Sequence, residues 1–334
     1  MIENLTVLLI VVMVLAVVFD YINGFHDTAN AIATSVSTRA LKPEHAILLS
    51  AVANFAGALT GTAVAKTIAS GIATTPEGAA GQAIVAAALI GGIVWNLITW
   101  RMGIPSSSSH ALIGGLIGAV VAASGTQALN MDGITQKVLV PLVSSPVLGV
   151  LIGFLFMVVL LNVFQRAQPR RLNERFRRLQ VLSAAFMAFS HGSNDAQKTM
   201  GIMTLALISA NMWHSTEVPL PVILVAATAI SFGTMAGGWR IIRTMGQRVV
   251  KLDPIHGFAA ETTAAAIIFG ASHFGMPVST THVISSAIMG VGSSDRLSAV
   301  RWGVAGNIII AWILTIPASG AVAWLAWEIL SRIV

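Results

Sequence analysis

A chain of 334 residues that is 55% hydrophobic and only 10% charged, with mean hydropathy +0.82, is excluded from the soluble globular class, where about a quarter of residues are charged. Net charge +6 does not make it a nucleic-acid binder, because in such a chain the basic residues belong first to membrane topology. The absence of cysteine excludes disulfides, thiolate metal sites and a cysteine nucleophile.

Apolar elements are expected in the first half at roughly 4–38, 45–63, 82–102, 105–124 and 137–164. The first lacks a basic leader and runs straight into polar residues 20–30, so it reads as a retained helix and not a cleaved signal. It is expected to be interrupted where Asn23, Gly24, Asp27 and Asn30 fall. The element 105–124 is short enough to be a re-entrant hairpin. Residues 165–180, with Arg166, Arg170, Arg171, Arg175, Arg177 and Arg178, read as an extended basic loop. The second half then gives 181–211, again interrupted, followed by 218–239, 254–274, the short 277–292, and 302–331. Trp213, Trp239, Trp302 and Trp327 fall near the ends of spans, where tryptophan anchors at the lipid interface.

The halves, 1–164 and 181–334, resemble each other across the linker 165–180. Gly24-Phe-His-Asp27 matches Gly192-Ser-Asn-Asp195, and Pro105-Ser-Ser-Ser-Ser-His110 matches Pro277-Val-Ser-Thr-Thr-His282. A weaker match aligns 46–61 with 222–237. About five elements per half, an odd number, predict an inverted-topology repeat with 10–12 transmembrane segments in all. With the Arg-rich segment in the cytoplasm, Arg39, Lys42, Arg101, Arg240, Arg243, Arg248, Lys251, Arg296 and Arg301 all fall inside. Lys66, Lys137 and Arg332 fall outside, as do both termini. This is the expected positive-inside bias.

Ionisable groups at bilayer depth cost roughly 2.5–3.5 kcal/mol on insertion scales, so they need a reason to be there. The acids in apolar segments are Asp20, Asp27, Asp195 and Glu261, and the only such base is Lys198. Asp27 and Asp195 occupy equivalent repeat positions. A carboxylate beside opened helix backbone suits a sodium ion or a carried proton, and pairing for helix packing is the alternative. The proline motif supplies the anion side. Ser106, Ser107, Ser108 and Ser109 stand at one predicted helix start, and Ser279, Thr280 and Thr281 at the other. Hydroxyls there adjoin free backbone N–H groups and the positive end of the helix dipole. Two such starts converging would surround a tetrahedral oxyanion with donors. With Lys198 the single fixed cation, a co-bound Na⁺, proton or divalent metal is needed to neutralise a doubly charged anion in low dielectric. His26 could carry a proton near neutral pH. His110 and His282 suit either packing or hydrogen bonds to the hydroxyls, and His191 and His256 carry no assigned role.

The stretches Gly24-Phe-His-Asp-Thr-Ala-Asn30-Ala and Ser190-His-Gly-Ser-Asn-Asp-Ala-Gln-Lys198, with the paired Pro-Ser-Ser-Ser-Ser-His and Pro-Val-Ser-Thr-Thr-His, resemble the inorganic phosphate transporter (Pit/PiT) family over essentially the whole chain. The resemblance implies an all-helical inverted repeat, phosphate bound at the midplane, and cation symport without a cofactor. It implies Asp27 and Asp195 as essential acids and Asn23, Asn30, Asn194 and Gln197 as cation or phosphate ligands. Ser106–Ser109 and Ser279–Thr281 become hairpin phosphate ligands, with Gln197 and Lys198 in the same phosphate-binding set. Glu261 matches an acid important in relatives, and the resemblance pairs it with Asn54. Sodium-coupled members carry Gly-x-Asn-Asp with a further Asn three residues on in both repeats, whereas this chain has His26 and Lys198. The pattern is therefore similar to the bacterial low-affinity branch, with H⁺ favoured over Na⁺ as the coupling ion and a metal–phosphate complex as a possible cargo. Arsenate is expected as an analogue, a homodimer in the cell (inner) membrane as the assembly, and sulfate transport or a channel as competing readings. A hydrolase is excluded, because Ser and His adjacent on one helix start do not form a triad.

Overall fold

The computed structural model describes residues 2–333. It is built from helices α1 (Ile2–Ser37), α2 (Pro43–Ala58), α3 (Ala63–Ser70), α4 (Ala79–Met102), α5 (Ser108–Ser124), α6 (Met131–Ile134) and α7 (Val140–Val163) in the first half. The second half holds α8 (Pro169–Ser209), α9 (Leu220–Ala236), α10 (Trp239–Arg243), α11 (Pro254–His273), α12 (Thr280–Asp295) and α13 (Trp302–Leu330). Among the described residues the only β pairing is an isolated bridge, Ala73 with Leu129. Local sequence sets many boundaries. Proline sits in the first turn of α2, α8 and α11, where its missing N–H costs nothing. Gly103 and Gly275, both at positive φ, end α4 and the α11 segment just ahead of the two proline motifs.

Four stretches are long and apolar enough to cross a bilayer: Val7–Ser37, Ala79–Met102, Met131–Val163 and Trp302–Leu330. Two bent pairs raise this to six, α2 with α3 at 69° and the α9 pair Leu220–Ala236 with Trp239–Arg248 at 61°. Helices α5 and α12, of 17 and 16 residues, reach only about 25 Å, less than the hydrocarbon thickness. Outward-facing Val143, Leu151, Leu155, Ile313 and Leu325 on α7 and α13 give the lipid its apolar surface.

Two expectations are corrected. The interruptions predicted around 24–30 and 192–198 do not occur: α1 and α8 run through both motifs without a break. The glycines serve close packing instead, since a β-carbon on Gly24 would overlap Ile230 O of α9, and one on Gly192 would overlap Asn54 O of α2. The actual breaks lie elsewhere, after α2 and after α9. The basic segment 165–180 is likewise no extended loop. From Pro169 onward it forms the first three turns of the 41-residue α8, where arginine, leucine and glutamate are good helix formers and Arg170 faces Glu174 at 3.6 Å.

Packing respects an exchange of halves. Helix α1 packs on α9 as α8 packs on α2, α5 on α13 as α12 on α7, and α4 on α5 as α11 on α12. The buried apolar residues form two separate clusters. One takes Leu9–Phe19 side chains of α1 and the Ala196–Ala210 part of α8, with α3, α4 and α5; the other takes Ala29–Ala33 and the Phe176–Ala188 part of α8, with α11 and α12. Helices α1 and α8 thus pass from one core into the other, and each crosses over at its aspartate motif. That seam is where polar groups can meet without puncturing either core.

Candidate functional site

Asp27 of α1 and Asp195 of α8 meet at the seam, both buried. One ligand atom from each, together with one from His191, falls within a 4.8 Å cluster. Each acid has a histidine beside it. His26 Nδ1 lies 2.6 Å from Asp27 Oδ1, and His191 Nε2 stands 3.0 Å from Asp195 Oδ2 at ion-pair distance. The arrangement is crossed between halves: Asn23-x-x-His26-Asp27 in one corresponds to His191-x-x-Asn194-Asp195 in the other. His191 also meets Asn54 Oδ1 at 2.9 Å through Nδ1.

Lys198 Nζ, one turn along α8, donates to Asp195 Oδ1, to Ser109 Oγ at 2.5 Å and to Val278 O at 2.9 Å. A carboxylate, a hydroxyl and a main-chain carbonyl thus surround the ammonium, joining α8 to the starts of both hairpin helices. Asp195 Oδ2 accepts from Thr280 Oγ1 at 3.0 Å. Asn30 Nδ2 donates to Thr280 Oγ1 at 3.2 Å and Thr281 Oγ1 at 2.9 Å.

The two proline motifs fold alike. After each proline the chain is extended, and Ser107 and Ser279 become N-caps, accepting from His110 N at 3.1 Å and His282 N at 3.2 Å. The remaining hydroxyls face inward. Ser106 Oγ donates to Thr99 Oγ1 at 2.8 Å and lies 3.4 Å from His26 Nε2. Ser108 Oγ is buried without a partner. The imidazoles of His110 and His282 meet with centroids 4.7 Å apart and planes tilted by 47°, so the two helix starts do converge. His282 is further stacked on Trp312, which donates to Pro105 O at 3.2 Å.

Several buried acceptors have no donor: Asp20 Oδ2, Asn23 Oδ1, Asn30 Oδ1 and Asn194 Oδ1. An acceptor left unpaired inside a protein is a standing demand for a proton, cation or water.

Not every expected ligand joins this group. Gln197 spends its amide elsewhere, accepting from Val64 N at 2.8 Å and donating to Ser193 O at 2.6 Å, and so caps α3. Asn194 Nδ2 reaches Ser272 Oγ and Met276 O near the end of α11. Glu261 forms its own buried centre. Its carboxylate accepts from Thr34 and Ser183 hydroxyls at 2.5 Å each and from Gln180 Nε2 at 3.1 Å. The suggested pairing of Glu261 with Asn54 fails, because Asn54 stands on α2, whose counterpart is α9, while Glu261 stands on α11. His191, given no role from sequence, lies at the centre, and the four-residue spacing to Asp195 on one helix face was the available signal.

The sequence profile described as the Phosphate transporter family matches residues 23–323. The chain belongs to the phosphate transporter family. It is 49% identical, over 99% of both chains, to a "Probable low-affinity inorganic phosphate transporter" of Bacillus subtilis, and 45% identical, over 96% of both, to a protein of the same description from Rhizobium meliloti. Among solved structures, one described as "The sodium-dependent phosphate transporter" superposes with TM-score 0.87 at 27% identity, covering 98% of this chain and all of that one. This phosphate transporter is therefore an integral membrane protein, all-helical, and no enzyme. The convergence of two hydroxyl-rich helix starts upon a pair of acids is the chemistry such a protein needs: donors for an oxyanion on one side, acceptors for a cation on the other.

Proposed function

We propose that this phosphate transporter imports inorganic phosphate by symport with a cation, protons in preference to sodium, through alternating access around the seam between α1, α8 and the starts of α5 and α12. Ser106, Ser108, Ser109, Thr280 and Thr281 bind the anion, and Asp27 and Asp195 with their histidines handle the coupling cation. The observation that carries the proton reading is the Lys198 ammonium. It occupies an oxygen cradle of carboxylate, hydroxyl and carbonyl, the ligand set a sodium ion would take. A cation fixed there by the chain leaves less need for a mobile one. Uptake into proteoliposomes under a Na⁺ gradient, with no pH gradient or membrane potential, is the test. Strong Na⁺-driven uptake sinks proton coupling, and uptake driven by an inward pH gradient alone supports it.

Sodium coupling is the second reading. It is favoured by the unpaired oxygens of Asp20, Asn23 and Asn30 and by the sodium dependence in the description of the structural neighbour. The Asp27–His191–Asp195 cluster is where a divalent metal carried with phosphate would fit.

Loop contacts support the sorting of loops to two sides that an inverted orientation requires, and the positive-inside rule is what assigns the Arg-rich side to the cytoplasm and both termini to the outside. Segments assigned inside meet one another: Arg240 with Arg101 O, His256 with Asp295, Arg301 N with Val249 O. Segments assigned outside do the same: Lys66 with Glu217, Thr67 with Gly275, Gly78 N with Ser209 O. No such pair mixes the two sets.

A further inference from the structure

Corresponding positions of the two halves also differ in size. The aspartate motifs set Phe25 against Ser193, and the positive-φ glycines Gly103 and Gly275 set Trp100 against Ser272. The break glycines Gly61 and Gly237 set Ala63 and Val64 against Trp239 and Arg240. Four small side chains at one end of the molecule thus answer four large ones at the other.

Three of the large set pack together, while Trp239 stays half exposed. Phe25 meets Trp100 edge-on at 5.3 Å, and the Arg240 guanidinium lies over the Trp100 ring at 5.5 Å. Arg240 Nη1 donates to Arg101 O at 2.6 Å, and Thr244 Oγ1 donates to Gly103 O at 2.9 Å. Beside the small set lies a cavity of ≈ 130 Å³ with a mixed lining, in which Thr60, Ser193, Gln197, Ser272 and the exposed His273 stand beside the apolar Phe269. A latch like that of Thr244 also crosses here, from Thr67 Oγ1 to Gly275 O at 2.8 Å. Both ends are therefore latched at the turn before a proline motif, but only one is filled behind the latch.

We propose that the Phe25–Trp100–Arg240 stack is the closed gate at one end of the translocation path, and that the cavity at Ser193 and Ser272 is the antechamber through which an inorganic oxyanion reaches the site. The proposal rests on the reading of this transporter as an alternating-access symporter. It adds which end is shut, by which groups, and by what the path is entered. The gate lies at the arginine-rich end, so the conformation faces away from it. An edge-on aromatic pair, one cation–π contact and two hydrogen bonds are each weak. Together they hold a hydrophobic seal that a change at the seam can release. Gln197 lines the antechamber and Lys198, the next residue of α8, lies in the site.

The natural chain has no cysteine, so introduced thiols report alone. The β-carbon of Arg240 lies 3.5 Å from the place a β-carbon on Gly103 would take, within disulfide reach. In a Gly103→Cys/Arg240→Cys protein, oxidation is expected to abolish phosphate uptake into proteoliposomes and reduction to restore it, while ³²P-phosphate binding in detergent stays unchanged. Undiminished uptake by the oxidised, cross-linked protein would overturn the gate. Absence of phosphate binding in the reduced protein would instead strike the transport reading beneath it. A second measurement does not depend on the disulfide. Ser193→Cys is expected to react with a small hydrophilic thiol reagent faster than Ala29→Cys, the position that corresponds to Gln197. Adding Arg240→Ala should accelerate labelling of Ala29→Cys alone, by about ten-fold for the loss of a cation–π contact and a charged hydrogen bond. Equal labelling at both positions with Arg240 intact refutes the asymmetry.

Discussion

At the residue scale the seam is a matter of charges that need each other. Asp195 has the Lys198 ammonium against it, and Asp27 has His26. Removing one member of a buried pair leaves the other charge uncompensated, at a cost of about 3–5 kcal/mol. Asp195→Asn is therefore expected both to lower thermal stability in detergent and to abolish coupled uptake. Asp27→Asn is expected to abolish uptake with a smaller loss of stability, since the partner it strips is a hydrogen-bonded imidazole and not an ammonium; near-normal uptake in both variants would refute the assigned roles. Lys198→Asn vacates the oxygen cradle, and initial uptake in NaCl should then exceed that in choline chloride by about ten-fold, a typical size for coupling between two ligands. Identical rates in the two salts would remove Lys198 from any account of ion choice. The acids and the hydroxyls were legible in the sequence because repetition marked them. His191 was not, since its partner spacing of one helical turn is common in any helix. Gln197 misled because an amide reads as a ligand wherever it stands, and only the fold shows that it caps α3.

At the element scale the two hairpin helices depend on their first turns. Ser107 and Ser279 each satisfy a backbone N–H that would otherwise be bare inside the protein, and replacing such a cap by alanine costs about 1 kcal/mol. Ser107→Ala and Ser279→Ala should each lower the detergent melting temperature slightly, and uptake should fall because the helix start proposed above to hold the anion frays. Uptake and melting temperature both unchanged would exclude a capping role. Gly24→Val and Gly192→Val would drive a side chain into the backbones of α9 and α2, and an overpacked contact costs roughly 1–3 kcal/mol or more. The sequence placed most helices correctly because apolar runs of spanning length are hard to mistake. It misplaced the breaks because glycine beside asparagine signals either an opened helix or a close helix crossing. Only the neighbour, Ile230 or Asn54, decides between them. The basic segment at the start of α8 failed in the same way: charge suggested a loop, while the residue types are helix formers.

At the scale of the whole molecule, the main helix pairs recur when the halves are exchanged, and the loop hydrogen bonds cited above each stay within one expected set. Single cysteines at Arg175, on the basic start of α8, and at Ser215, between α8 and α9, both exposed, should be labelled from opposite faces of a sealed membrane. Labelling of both from one face would refute a membrane crossing by α8, on which the inverted orientation depends. Phosphate at about a hundred times its dissociation constant should raise stability by about 2.7 kcal/mol, as any ligand of the folded state alone does. This is measurable as a melting shift, with sulfate as the comparison anion. The continuity of α1 and α8 through their aspartate motifs has a further consequence. Because the main chain there is committed to the helix, the groups that α1 and α8 offer an ion are side chains only. Under the symport proposed above, ion choice would rest on side-chain identity and not on the course of the backbone. Exchanging asparagine for histidine or lysine at these positions alters the charge offered to an ion while the helix keeps its course.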